Sequence, residues 1–165
     1  MNHLWAWLNT QWSEPGTVAI VGLARAGKST LRRALCDDAR AQMRIGMRVY
    51  DLCECSAPRR DWHARLGHVN GILFVVDAAD HAAFATAAAE LAAIVDALAD
   101  NRERPPLLVL GNKCDVSDAQ SMTTLARALR VTTLAQRYMV ALAPCSIRRG
   151  EGIQEALAWL AGEMV

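Results

Sequence analysis

Two short strings carry residue types and spacings suited to chemistry. Gly22-Leu23-Ala24-Arg25-Ala26-Gly27-Lys28-Ser29 has the pattern of a loop that wraps phosphate groups, and Asn112-Lys113-Cys114-Asp115 has that of an element that reads a purine base. In the first, Gly22 and Gly27 allow backbone N–H groups to turn inward at dihedrals that a side chain obstructs. Lys28 brings positive charge to β- and γ-phosphates, the N-terminus of a following helix adds its dipole, and Ser29 offers a hydroxyl to Mg²⁺. Ala24, Arg25, Ala26 and Thr30 complete the loop and the turn after it. In the second string, Asp115 accepts from the N1–H and 2-amino group of guanine. Adenine lacks that donor pair and leaves the carboxylate unpaired. Lys113 lies along base and ribose. Cys145-Ser146-Ile147 fits a further loop, in which a backbone N–H meets the O6 oxygen of the base. A chance glycine turn is the bland alternative, and the order strand, loop, helix weighs against it.

The elements that position these strings are legible from periodicity. Thr17 to Val21 is a β-branched, apolar run leading into the glycine loop, and Thr30 to Cys36 follows as helix. Met47 to Tyr50 reads as a short strand ending at Asp51, and Gly71 to Val76 as a strand apolar on both faces, suited to the middle of a parallel sheet. His81 to Asp100 is a long alanine-rich helix closed by Asn101 and Pro105-Pro106. Leu107 to Leu110 is a buried strand, Met122 to Leu129 a helix, Met139 to Ala143 a strand and Ile153 to Met164 a closing helix. Alternation of this kind predicts an α/β fold, mostly parallel, with helices on both faces.

Composition narrows the class. The chain has 165 residues, 53% hydrophobic and 21% charged, which predicts one packed domain rather than disorder. A formal charge of +1 gives no case for nucleic-acid binding, and the pairs Arg32-Arg33, Arg59-Arg60 and Arg148-Arg149 read as solvated surface. Five cysteines form no Cys-x-x-Cys and no even framework, so reduced thiols in the cytoplasm are expected, without a metal at Cys53 and Cys55. No apolar run is read as membrane-spanning, no secretory signal is expected, and Asn2 after Met1 removes the glycine that N-myristoylation needs.

The chain resembles small GTPases of the Sar/Arf group, and the Sar type of the COPII coat more than the Arf type. The strings that carry the likeness are Gly22-Leu23-x-x-Ala26-Gly27-Lys28-Ser29-Thr30-Leu31, Asp51-Leu52, Arg59-Arg60-x-Trp62 and Asn70-Gly71-Ile72. With them stand Val75-Val76-Asp77-Ala78-Ala79-Asp80, Leu110-Gly111-Asn112-Lys113-x-Asp115, Cys145-Ser146 and Ala156-x-x-Trp159-Leu160. The resemblance implies GTP and GDP with Mg²⁺ held by Ser29 and Asp51, and coat or exchange-factor proteins as partners. It implies a peripheral location on endoplasmic reticulum and Golgi membranes, in vesicle transport between them. Residues 1–14 fit this as an amphipathic helix ahead of a GTP-binding domain at 15–165. Leu4, Trp5, Leu8 and Trp12 share one face, which suits a membrane interface.

Departures from the family lie where the γ-phosphate is sensed. No threonine occurs between Thr30 and Thr86, so the Mg²⁺-binding threonine of switch I is missing, and the edge strand after it is expected to be shortened or absent. The family's Asp-x-Gly-Gly-His becomes Asp51-Leu52-Cys53-Glu54-Cys55, with Glu54 in place of a glycine and Cys55 aligned with the water-positioning histidine. Ala24 replaces an acidic residue, and Arg25 beside it is expected in solvent. Because phosphoryl transfer relies on positioning and charge stabilisation, intrinsic hydrolysis is expected to be weak or absent. The competing reading is a non-hydrolysing pseudo-GTPase serving as a nucleotide-stabilised interaction module. An ATP-using P-loop kinase is disfavoured by Asn112-Lys113-x-Asp115.

Overall fold

The structure is a computed structural model that describes residues 16–36, 45–49, 61–100 and 102–164. Its strands are β1 (Gly16–Gly22), β2 (Ile45–Val49), β3 (Gly71–Asp77), β4 (Leu107–Asn112) and β5 (Val140–Pro144). Its helices are α1 (Lys28–Cys36), α2 (Asp61–Leu66), α3 (Phe84–Leu98), α4 (Met122–Ala128), α5 (Val131–Ala135) and α6 (Ile153–Glu163), with a 3₁₀ turn at His81–Ala83 before α3.

All five strands pair in parallel, in the order β2-β1-β3-β4-β5. The chain steps outward from β1 to β2 and then crosses back over β1 to β3. That reversal opens a crevice beyond the carboxyl ends of β1 and β3, where an open α/β sheet accepts ligands. The segment between α1 and β2, on which the expectation of a shortened or missing edge strand falls, lies outside the described residues.

Strand periodicity sorts the apolar residues into two cores. Ala19, Val21, Ile72, Phe74, Val76, Leu107 and Val109 point to one face, under Phe84, Leu91, Ile94 and Leu98 of α3, Leu125 of α4 and Leu134 of α5. Val18, Ile20, Leu73, Val75, Leu108 and Leu110 point to the other, under Leu31 and Leu35 of α1 and Ile153, Leu157 and Leu160 of α6. A strand such as β3, buried at its first six positions, therefore needs apolar residues at both parities. The 18 residues His81–Leu98, at mean hydropathy 1.4, are long and apolar enough by composition to cross a membrane. Here that apolarity covers the sheet.

Two local contacts explain motifs that the sequence marks only by resemblance. Asn70 clasps β1 twice: its Oδ1 accepts the Thr17 N–H at 2.8 Å, and its own N–H donates to the Thr17 carbonyl at 2.7 Å. Gly71 lies under the end of α6, where an added Cβ meets Met164 Sδ at 2.9 Å and Leu160 Cδ1 at 3.2 Å. Tyr138 donates to the Pro105 carbonyl at 2.8 Å, and burial pushes its phenol up to about 12.

The short helices α2 and α5, six and five residues long, are absent from the sequence expectation because so few residues show no clear period. Residues 1–14, Asp51, Glu54 and Cys55 lie outside the described residues. Leu91, fully buried in the centre of α3, tests the packing: Leu91→Ala is expected to lower unfolding free energy by about 2–5 kcal/mol. Urea denaturation with an unchanged m-value checks it.

Candidate functional site

The loop between β1 and α1 starts at Gly22, whose φ of +145° and 2.2 Å approach of a built Cβ to the Val75 carbonyl leave no room for a side chain. Gly27 is held as tightly: at φ +110°, a Cβ lies 2.3 Å from Asn112 Nδ2. Lys28 opens α1 with its side chain folded back over the loop. Its Nζ donates to the Gly22 carbonyl at 2.8 Å and the Leu23 carbonyl at 2.6 Å, and the residue is buried. Ala26 is buried, whereas Ala24, Arg25, Ser29 and Thr30 are exposed. Arg25, expected in solvent, is there, with a left-handed φ of 62°.

Asn112, at the end of β4, joins this loop to the one after β5. Its Nδ2 donates to the Ala26 carbonyl at 2.8 Å, and its Oδ1 accepts the Ile147 N–H at 3.0 Å. The Cys145 thiol, pushed up to about 12 by burial, stays neutral and makes a weak 3.9 Å contact with the same oxygen. Next to Asn112, Lys113 adopts φ 65°, and its ammonium pairs with the Asp77 carboxylate at the end of β3. The other Asp77 oxygen accepts the Ala79 N–H at 3.0 Å.

Asp115 stands across the loop. A hydrogen bond from the Ser146 hydroxyl, followed by the charges of Arg149 and Arg148, holds its carboxyl below the usual carboxylate range against partial desolvation. Asp115 is therefore ionised at neutral pH and can only accept. Arg25, Gly27, Thr30, Asn112, Lys113, Asp115, Ser146 and Ile147 line one cleft of about 400 Å³, with Val116 and Arg148. An acceptor-only carboxylate at one end and a glycine loop with a buried lysine beside it can hold a ligand with a donor edge and an anionic tail.

One expectation needs revision. The loop Cys145-Ser146-Ile147 has its three amides committed within the protein: to the Gly111 carbonyl at 2.9 Å, the Glu151 carbonyl at 3.0 Å and Asn112 Oδ1 at 3.0 Å. None is turned to the cleft. The next amide, of Arg148, has no acceptor among the described residues. The sequence reading also missed Asp77 as the partner of Lys113, Val116 and Arg148 as lining residues, and Arg149 as the partner of Asp115. Asp77 was visible as the last residue of a strand neighbouring β4. The arginines look like any surface pair until the loop is folded.

This sheet order, with three loops gathered at its carboxyl edge, fits the fold of a small GTPase among the doubly wound α/β proteins. The chain belongs to the ADP-ribosylation factor family, whose profile matches residues 39–164. It is thus a GTP-binding protein of the Arf/Sar group. It is 26% identical to the "Small COPII coat GTPase SAR1" of Giardia intestinalis, covering 90% of both chains. It is 24% identical to ADP-ribosylation factor-like protein 3 of Chlamydomonas reinhardtii, covering 87% of each. It is 27% identical to ADP-ribosylation factor-like protein 1 of Caenorhabditis elegans, covering 89% of this chain and 88% of that one.

Two substitutions test the scaffold. Gly27→Ala forces a Cβ into Asn112 at a positive φ, so a loss of about 2 kcal/mol or more is expected in denaturant unfolding. Asp77→Asn keeps an acceptor for the Ala79 N–H but removes the negative charge that pairs with the Lys113 ammonium. The pair is partly exposed, so a loss of about 1 kcal/mol that shrinks at high salt is expected.

Proposed function

We propose that this protein is a Sar-type membrane switch, controlled by guanine nucleotide, in vesicle transport from the endoplasmic reticulum to the Golgi. The observation that carries the reading is Asn112, which ties the glycine loop to the loop after β5 around one cleft that also holds the ionised Asp115. The likeness to a COPII coat GTPase supports the Sar assignment, as do Asn70-Gly71-Ile72 and Cys145-Ser146. Family resemblance and the apolar face of residues 1–14 support a peripheral location on those membranes, with coat or exchange-factor proteins as partners.

In this reading residues 22–30 hold the phosphates through backbone N–H groups and Lys28. Asp115 takes the N1–H and 2-amino edge of guanine, Lys113 lies along base and ribose, and Asn112 keeps the two loops together. The fit to a nucleoside diphosphate is good: the cleft has the volume for a purine, and the glycines stand where side chains would close the loop. Mg²⁺ is assigned to the Ser29 hydroxyl, exposed on the first turn of α1, with Asp51. Among the described residues no cluster of three His, Cys, Asp or Glu side chains is suited to a metal. When the ion is bound, phosphate oxygens and water would supply the remaining ligands, as is usual for Mg²⁺.

A second reading is favoured by Cys53-Glu54-Cys55 and by the absence of threonine between Thr30 and Thr86: a pseudo-GTPase that binds nucleotide without hydrolysing it. A carboxylate beside a polyphosphate is repulsive, and Cys55, aligned with the family's water-positioning histidine, is a poor substitute for it. Titration with labelled GDP and a non-hydrolysable GTP analogue, each with Mg²⁺ and competed by ATP, separates the two. Guanine-specific binding of both, with the GTP analogue driving liposome association, is expected of the switch. Binding of GDP alone favours the pseudo-GTPase, and binding of no guanine nucleotide removes both. Asp115→Ala is expected to erase most of the preference for guanine over adenine while leaving phosphate contacts intact.

A further inference from the structure

The loop after β5 carries a charge that the reading above does not use. Arg149 Nε lies 3.4 Å from Asp115 Oδ2, and Arg149 Nη1 lies 3.9 Å from Glu151 Oε1. The Arg149 backbone is fixed independently of its guanidinium: its N–H donates to both the Ser146 carbonyl and the Ser146 hydroxyl at 3.2 Å. Ser146 is fully buried and exchanges both backbone hydrogen bonds with Glu151. The guanidinium is thus delivered to Asp115 from a backbone fixed by its own hydrogen bonds.

A carboxylate that reads guanine must present two oxygens in the plane of the base. A free aspartate rotates about its terminal torsion, and each turn away from that plane loses one of two charge-assisted bonds. An ion pair on one carboxylate oxygen restricts this freedom before the ligand arrives. Arg149 also raises the cost of accepting the wrong base, because an oriented Asp115 carboxylate that meets no donor edge is a larger penalty than one free to turn to water.

We infer that Arg149 is a positioning and specificity-determining residue for the purine base, acting by holding the Asp115 carboxylate in plane through their ion pair. This rests on the guanine-binding reading. The charged and titratable groups around Asp115 are Arg149, Arg148, Glu151 and the Cys114 thiol. Of these, Arg149 is the one in ion-pair contact with it.

The test compares GDP with inosine diphosphate, which lacks the 2-amino group, on the full chain and on Arg149→Ala and Arg149→Lys. Arg149→Ala keeps the backbone bonds to Ser146, so it should fold as the parent does, with at most a small drop in unfolding midpoint for its partly exposed ion pairs. GDP affinity is expected to fall about fivefold, the size of one partly exposed ion pair. Inosine diphosphate should fall less, narrowing the ratio, and Arg149→Lys should restore most of it. The pH profile supplies a further readout. Asp115 accepts only when ionised, and its depressed pKa keeps it so as pH falls. Without Arg149 that pKa rises, so GDP affinity should decline from a higher pH. An unchanged ratio and unchanged profile in Arg149→Ala, or tighter GDP binding because Arg149 had competed with the base, overturns the inference alone. If the parent chain binds neither nucleotide, the guanine-binding reading falls and takes the inference with it.

Discussion

One buried side-chain amide holds the site together. Asn112 is 4% exposed, donates to Ala26 and accepts from Ile147, residues that lie 86 positions before it and 35 after it. The amide's orientation follows from its neighbours: a carbonyl demands a donor and an N–H demands an acceptor. Aspartate at this position would set a carboxylate against the Ala26 carbonyl, and leucine would leave two buried backbone groups unpaired, at about 1–3 kcal/mol each. Gly27 follows from the same contact, since its Cβ position is taken by the amide nitrogen. The glycine, the asparagine and the loop after β5 are therefore one structural requirement spread over three places in the chain.

Around that amide, the charged groups of the base-side loop come already paired. Lys113 is bound to Asp77 from the end of β3, and Asp115 to Ser146 and Arg149 from the loop after β5. The positive φ of Lys113 costs of order 1 kcal/mol for a residue with a Cβ. The ion pair offsets that cost by fixing the side chain on the strand neighbouring β4. The consequence is a loop whose two charges are oriented by residues that do not lie in it, so a polar ligand meets fixed dipoles rather than mobile ones.

How much of this was legible in the sequence follows from the range of each interaction. The core strands were, because β3 and β4 carry unbroken apolar runs, Ile72 to Val76 and Leu107 to Leu110, and only a strand covered on both faces needs that. The residues of the cleft were, because glycine, lysine, asparagine and aspartate at fixed spacing answer local backbone demands. The helices α2 and α5 were not, being shorter than two turns. The amides of Cys145, Ser146 and Ile147 were misjudged because their acceptors come from Gly111, Asn112 and Glu151. Only the folded β4–β5 register and the Ser146–Glu151 bridge bring those groups within reach. Arg149 was hidden for the same reason. Its neighbour in sequence is an identical residue, and its partner in space is 34 residues away.

The contacts holding the base-side half run among the ends of β1, β3, β4 and β5, all parts of the doubly covered sheet. Contacts shared by GDP and GTP give equal stabilisation to both and shift no equilibrium between two states of the protein. Any preference for GTP must therefore arise from groups that meet the third phosphate. The string Asp51-Leu52-Cys53-Glu54-Cys55, which departs from the family's Asp-x-Gly-Gly-His, is where the sequence differs in that respect, so the arrangement of Asn112, Lys113 and Asp115 favours neither nucleotide by itself.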